Sequence, residues 1–418
     1  MKPLSEITVL TKDAGGLGCE HAVSLGKSCK ESIYFNNWQD GFCESRKYFM
    51  GRGFENIKKT LYFDDEVDKA DLIMYTDIGF GDEAARFRKE GKIVFGAGDA
   101  EKFENHRFAF RALQKKIGLY PAPYKTYQAK GIDDLIDYLR KHPKQYVKVD
   151  NAFRGDCESF PATNYEQVKT HIDHLRVKFA PFDDVVPFIV EDMVESKAEI
   201  GFDGLFATNL MRPTLWGIEA GKSYLGRFDD VMPPVLEDCI KKLSPELVKR
   251  DYRGALSVEM RVLDKDKGIL IDPTCRPPYN LSLGYPEWIR NYAECVWSVA
   301  NNVPITIEPR AKYVGGVPLY VKNEQESIVW NFPKELRDQG KIKFRECAKK
   351  GGKYYAIRGC NSAAFVISWG NTIDAVIKDI KNSVAKVDAT DIDKRCIHGL
   401  DESIMPQVKS LRAMGIRF

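Results

Sequence analysis

The stretch GILIDPTCRPPYN, residues 268–280, starts as a buried strand through Ile269, Leu270 and Ile271, then sets Asp272, Thr274 and Arg276 at alternate positions. Alternate residues of a strand share one face. A carboxylate, a hydroxyl and a guanidinium gathered beside a core point to an ion or a charged ligand, because buried charge without a partner is expensive. Just upstream, LSVEMRV (256–262) turns Glu259 away from Val258 and Met260, and the DKDKG turn (264–268) joins the two runs. Paired as a hairpin, they predict Glu259 beside Asp272, with Thr274 one alternation further on. Two adjacent carboxylates repel unless a cation separates them, and hard oxygen ligands suit magnesium, or manganese, with bound phosphates. Arg276 on the same face suits an anionic substrate or the charge that develops on a transferring phosphoryl group. Flanks this apolar argue against a hairpin whose acids are merely solvated.

The chain has 418 residues, more than one core usually supports, so several domains or subdomains are expected. With 44% hydrophobic and 29% charged residues, its composition excludes a disordered chain. No run approaches the roughly 20 apolar residues of a membrane span. The start, MKPLSEITVLTKDAGG, lacks a signal peptide's apolar region, so a cytoplasmic protein without a membrane partner is expected. The 63 basic and 60 acidic residues are scattered, with no polybasic stripe that would indicate nucleic acid. Ten cysteines without a CxxC pair read as reduced thiols rather than a disulfide framework or a zinc site.

Outward from the hairpin, the pattern divides the chain. At the N-terminus, short apolar runs (ITVLT, SIYFN, ADLIMYTD, KIVFGAG) alternate with helical ones (GCEHAVSLGKSC, GDEAARFRKEG), which predicts a parallel Rossmann-like α/β domain over 1–100. EKFENHRFAFRALQKKIGL is amphipathic and stops at Gly118, giving a connecting helix within 101–123. Residues 124–195 read as a small α+β unit and 196–310 as a larger, mostly antiparallel one. A small β-rich domain over 311–390 and a polar amphipathic tail over 391–418 complete the expectation.

Three further motifs carry chemistry. DAGGLGCEHA (13–22) follows the first strand, and its Gly15, Gly16 and Gly18 suit either a tight structural turn or an anionic substrate at a helix N-terminus. Its spacing is not G-x-G-x-x-G and SIYFNN ends without the acid that holds a ribose, which disfavours a nicotinamide cofactor. Lys148 lies in a half-buried strand before NAFRGDCES, whose Arg154 and Gly155 supply a cation and a pliable backbone that can fold over phosphates; a solvated lysine on an edge strand is the plain alternative. In FIVEDMVESKAEIGFDG (188–204), Glu191 and Asp192 precede Met193 and Val194, and Glu199 opens the next strand. Such a connector presents backbone groups to a flat base while an acid grips a sugar hydroxyl, although alone it is only strand, turn and strand.

Taken in order, these pieces resemble the ATP-grasp ligases, most closely the phosphoribosylamine–glycine ligases. The resemblance runs through GGLGCEHA, KIVFGAGDAEKFENHRFAFRALQKKIGLYPAPY, YVKVDNAFRGD, FIVEDMV, GILIDPTCRP and GGKYYAIRGCNSAAFVISWGNTIDAVIKDIKNSV. It implies an ATP-grasp fold, with two α+β subdomains clasping ATP and Mg2+ after a Rossmann-like domain. It also implies that Arg107 and Lys148 contact ATP, Arg154 and Gly155 form a glycine-rich flap, and Glu191, Asp192 and Val194 read adenine. Glu199 would hold the ribose, while Glu259, Asp272 and Thr274 hold the metal. Lys148, Arg154 and Arg276 would neutralise transferring charge, and Gly16, Gly18, Glu20 and Arg276 would meet the substrate. Two departures stand out: PPYN replaces the family's Gly-Asp-Pro-Glu, and NNWQDGF replaces its Gly-Asn-Ala-Gly turn.

The expected activity is amide formation from a small-molecule carboxylate, an amino acid such as glycine, and an amine acceptor that resembles a nucleotide or sugar phosphate. It would proceed through an acyl phosphate, in a monomer or homodimer. The alternatives are a nucleotide-binding relic with a structural or regulatory role, and a dinucleotide-dependent oxidoreductase.

Overall fold

The computed structural model describes residues 1–36, 48–121, 123–150, 159–324, 326–388 and 390–418. The first unit is a five-stranded parallel sheet of Thr8–Asp13, Glu31–Asn36, Lys58–Lys59, Leu72–Tyr75 and Val94–Phe95. Thr8–Asp13 lies between Glu31–Asn36 and Leu72–Tyr75, so the strand order reverses beside it. Fully buried Val9, Leu10, Ile33, Leu72 and Ile73 explain why these runs read as continuous apolar segments. Helices Gly18–Leu25 and Gly81–Lys89 are both shorter than the sequence pattern suggests.

The connecting helix is two helices, Lys102–Asn105 and Arg107–Ile117, because His106 leaves the helical region with φ −112° and ψ 68°. The second stops at Gly118, whose φ of 75° is the left-handed cap that glycine adopts without strain. It leads into a four-stranded antiparallel sheet in the order Thr126–Lys130, Pro187–Asp192, Gln145–Val149, Ser159–Ala162. Helices Gly131–Lys141 and Tyr165–Phe179 close this unit around Ile132, Leu135, Val147, Ile172 and Phe188. Asn164 starts the second of them by accepting a hydrogen bond from Gln167 N at 3.0 Å.

Beyond it a nine-stranded sheet dominates. It runs in the order Lys267–Thr274, Gly254–Asp264, Ala198–Phe206, Thr214–Ala220, Ser223–Asp229, Tyr313–Val321, Ala363–Gly370, Ile342–Arg345, with Ile392–Asp393 beside Tyr313–Val321. The pattern missed Thr214–Ala220 and Ser223–Asp229, whose glycines and charges interrupt any alternation. Strands from the stretch expected to form a separate β-rich domain extend this same sheet, pairing Tyr313–Val321 with Ser223–Asp229. Ile200, Phe202, Val258 and Met260 point to a core shared with helix Pro234–Lys249. The intervening Glu199, Gly201, Asp203, Ser257, Glu259 and Arg261 take the other face, as strand alternation requires. The polar tail is ordered: Leu400–Ile404 and helix Met405–Ala413 bury Leu400, Ile404, Val408 and Leu411 against that core.

Candidate functional site

The hairpin forms with Glu259 directly opposite Asp272 and Ser257 opposite Thr274. Its turn is tighter than DKDKG suggested, since Asp264 already pairs with Lys267. The register slips twice, once between Val262 and Asp264 near the turn and once at the site, where Glu259 faces Asp272 but Met260 faces Leu270, leaving Ile271 as a bulge. Two cations hold that bulge by its carbonyl, Lys148 Nζ at 3.1 Å and Arg111 Nη2 at 3.1 Å. Lys148 comes from the four-stranded unit, and its buried ammonium also lies 3.7 Å from Asp272 Oδ2. Burial, then Asp272, Glu199 and Glu219, push the Glu259 carboxyl well above the usual carboxylate range, with Lys148 opposing. Two acids set side by side repel, and Lys148 is the cation the structure places against them.

Arg111 went unnoticed in the sequence because it sits among apolar residues of an amphipathic helix. Its buried guanidinium binds both oxygens of Glu191, Nη2 at 2.9 Å and Nε closer still, and Nη1 donates to Gln114 Oε1 (2.5 Å) and the Leu270 carbonyl (2.7 Å). One residue therefore ties the connector at Glu191 to the strand that carries Asp272. Asp192 is also committed, accepting from Lys125 N at 2.7 Å and Gln145 Nε2 at 3.1 Å. Arg107 donates to the Val149 carbonyl at 2.7 Å and stands behind the cleft, beside Lys148 and Asp272.

The cleft itself has a volume of about 350 Å3 and is lined by Lys148, Glu191, Asp192, Val194, Glu199, Glu259 and Asp272, together with Tyr120, Tyr146, Met193 and Arg261. Seven residues singled out in the sequence thus share one wall-to-wall space. Glu199 pairs with Arg261 at 2.8 Å; burial raises its pKa, Asp272 adds to the rise, and Arg261 and Lys148 oppose it. Glu219, also missed, keeps an accessible side chain, yet crowding by the surrounding chain, then Asp203 and Glu199, lift it to about 7. A larger groove of about 530 Å3 near Lys322, Lys381, Lys394 and Arg395 contains none of these residues. Its cations are occupied by the Thr390 and Val384 carbonyls, Asp401 and Asp393.

The remaining expected residues lie elsewhere. Gly16 N and Gly18 N, the donors expected to meet an anionic substrate, both donate to the Asp13 carboxylate at 3.1 Å. Tyr34 and Thr76 hydroxyls donate to the same group, so the anion held by this turn is the chain's own. Burial, against the Tyr34 hydrogen bond, lifts Asp13 to about 6. Glu20 is fully buried: it accepts from Arg337 Nη1 at 2.6 Å and Phe344 N at 3.0 Å, locking the first helix to the strand Ile342–Arg345. A substrate does not reach it there. Arg276 binds Glu104 at 2.9 Å and lies 3.5 Å from Asp77; burial works against its charge, but these acids outweigh it and hold its pKa above the ordinary value. Thr274 follows Asp272 on the same face but does not line the cleft. Arg154 and Gly155 lie outside the described residues.

No protein-family model matches the chain, and no curated protein matches it in sequence. Solved structures do match. The phosphoribosylamine–glycine ligase of Thermotoga maritima aligns with a TM-score of 0.67 at 17% identity, over 92% of this chain and 98% of that one. The biotin carboxylase domain of Hydrogenobacter thermophilus 2-oxoglutarate carboxylase, solved with MgADP, ADP and bicarbonate, gives 0.69 at 11% identity over 99% of both. The chain has the ATP-grasp fold. An ADP complex of N5-carboxyaminoimidazole ribonucleotide synthetase, also an ATP-grasp enzyme, gives 0.60 at 12% identity, over 92% and 98%. At these identities the likeness concerns the fold, and the chemistry has to come from the residues.

Proposed function

We propose that this protein is an ATP-dependent carboxylate–amine ligase. The observation that carries the reading is the cross-strand pair Glu259 and Asp272 facing Lys148 across one cleft between two subdomains. Glu259 and Asp272 supply hard oxygen ligands for Mg2+, or Mn2+, and that ion would offset the charge of bound phosphates. The connector Glu191–Val194 offers its backbone to adenine, and Glu199 offers a carboxylate to the ribose hydroxyls. Lys148, on the Ile271 carbonyl and 3.7 Å from Asp272 Oδ2, would supply a cation to the phosphates beside that metal.

The substrate carboxylate attacks the γ-phosphorus: an O–P bond forms, the bond to the β-phosphate oxygen breaks, and ADP leaves. The amine then adds to the acyl carbon, phosphate departs with the bonding pair, and the nitrogen loses its proton. No side-chain nucleophile takes part, so the work is positioning and charge neutralisation. An amino acid such as glycine is the favoured carboxylate, and the acceptor is a small amine. Commitment of the Gly16 and Gly18 amides to Asp13 weighs against a phosphate held by that turn.

The test is ADP release with MgATP and each of the twenty amino acids, with product masses read from the same mixtures. ATP hydrolysis or amide formation above background supports the reading. MgATP binding without any turnover across carboxylates and bicarbonate leaves the nucleotide-binding alternative.

A further inference from the structure

The strand Ala198–Phe206 pairs with Thr214–Ala220 from Asp203–Leu215 to Gly201–Gly217, and there the ladder ends. Beyond it the backbone N–H of Glu199 donates to a side chain instead, Gln407 Oε1 at 2.7 Å. Gln407 belongs to helix Met405–Ala413, which buried Val408 and Leu411 hold against the sheet. The preceding turn is wedged over the neighbouring strand ends. A Cβ on Gly399 would lie 3.0 Å from the Ala220 and Gly221 carbonyls, and Ser223 Oγ donates to the Cys396 carbonyl. From below, Phe418 packs edge-on against Trp216 with ring centres 5.0 Å apart. The last twenty residues thus sit where Glu199 and Glu219 leave the sheet.

We infer that Gln407 is a positioning residue for Glu199, setting the ribose end of the cleft; this rests on the ATP reading above. Glu199 is drawn sideways by Arg261 at 2.8 Å, its cross-strand neighbour in the ladder with Gly254–Asp264, and on its other side it has no strand partner, since the pairing with Thr214–Ala220 stops at Gly201. The amide oxygen of Gln407 replaces the missing strand and fixes the point from which the carboxylate reaches. Gln407 itself touches no substrate.

Gln407→Met keeps the length of the side chain and removes the acceptor, while Gln407→Ala removes both. Calorimetric binding of MgATP and of Mg-2′,3′-dideoxyATP to the full chain separates positioning from general damage. Both variants should bind MgATP roughly three- to ten-fold more weakly, the range of one lost hydrogen bond, with dideoxyATP affinity unchanged. Gln407→Met should melt within about 2 °C of the parent. Equal weakening for both nucleotides, or none for either, overturns the inference. A parent chain that binds MgATP without preferring the ribose hydroxyls overturns it too but leaves the ATP reading standing, whereas a parent that binds no MgATP overturns both.

Discussion

Arg111 offers the sharpest energetic test. Replacing it with methionine removes a buried guanidinium bonded to both oxygens of Glu191, to Gln114 and to the Leu270 and Ile271 carbonyls. Glu191 is then a buried carboxylate without its cation, and breaking such a pair costs about 3–5 kcal/mol. Glu191→Leu alone strands the guanidinium and should cost a similar amount. The double variant Arg111→Met/Glu191→Leu replaces ions with apolar groups of similar size, so it should cost far less than the sum of the two. Urea unfolding without nucleotide, followed by both tyrosine fluorescence and circular dichroism, gives the cycle and reveals whether the four-stranded unit melts separately. Single costs under about 1 kcal/mol, or additivity within about 0.5 kcal/mol, would refute the claim that this pair latches the connector to the strand that carries Asp272.

Asp272→Asn should reduce turnover more than about a hundredfold while leaving the melting temperature near the parent's; unfolding instead would mark the residue as structural. Titrating EDTA into the turnover assay should abolish activity, and added Mg2+ or Mn2+ should restore it. Glu219, lifted to about 7, binds its proton more tightly folded than unfolded. Its contribution is therefore complete below the ordinary carboxylate range and is lost as pH rises towards 7 and beyond. Glu219→Gln should accordingly raise the melting temperature at pH 8 and change little at pH 4, and equal shifts at both values would contradict this. Gly16→Ala should destabilise the fold, because φ is +80° there and a Cβ would lie 2.7 Å from Glu346 Cγ and 2.8 Å from Glu346 N; thermal melts read the loss directly.

Much of the site was legible because strand alternation is a rigid rule. Once LSVEMRV and GILIDPT form a hairpin, Glu259 must meet either Asp272 or a neighbour, and the bulge at Ile271 selects Asp272. The bulge itself left no trace in the pattern, since Ile269, Leu270 and Ile271 are equally apolar. Arg111 and Glu219 escaped for the opposite reason: one charge in an amphipathic helix and one in a glycine-interrupted strand look like solvated surface. The glycine turn misled because its donors can serve any anion, and only three dimensions reveal that Asp13 already supplies one. Glu20 reads as a substrate acid until Arg337 and Phe344, more than three hundred residues later, fold back onto it.

The continuity of the large sheet decides how the walls of the cleft are held. A single ladder runs from the strand bearing Asp272 to Ile342–Arg345, and Glu20 clamps that far edge to the first helix. The sheet is therefore fastened to the N-terminal unit at the edge away from Asp272. The four-stranded unit has a ladder of its own and meets the opposite edge through Arg111 on Glu191 and Lys148 on the Ile271 carbonyl, so side-chain contacts rather than a shared ladder set one wall of the cleft against the other.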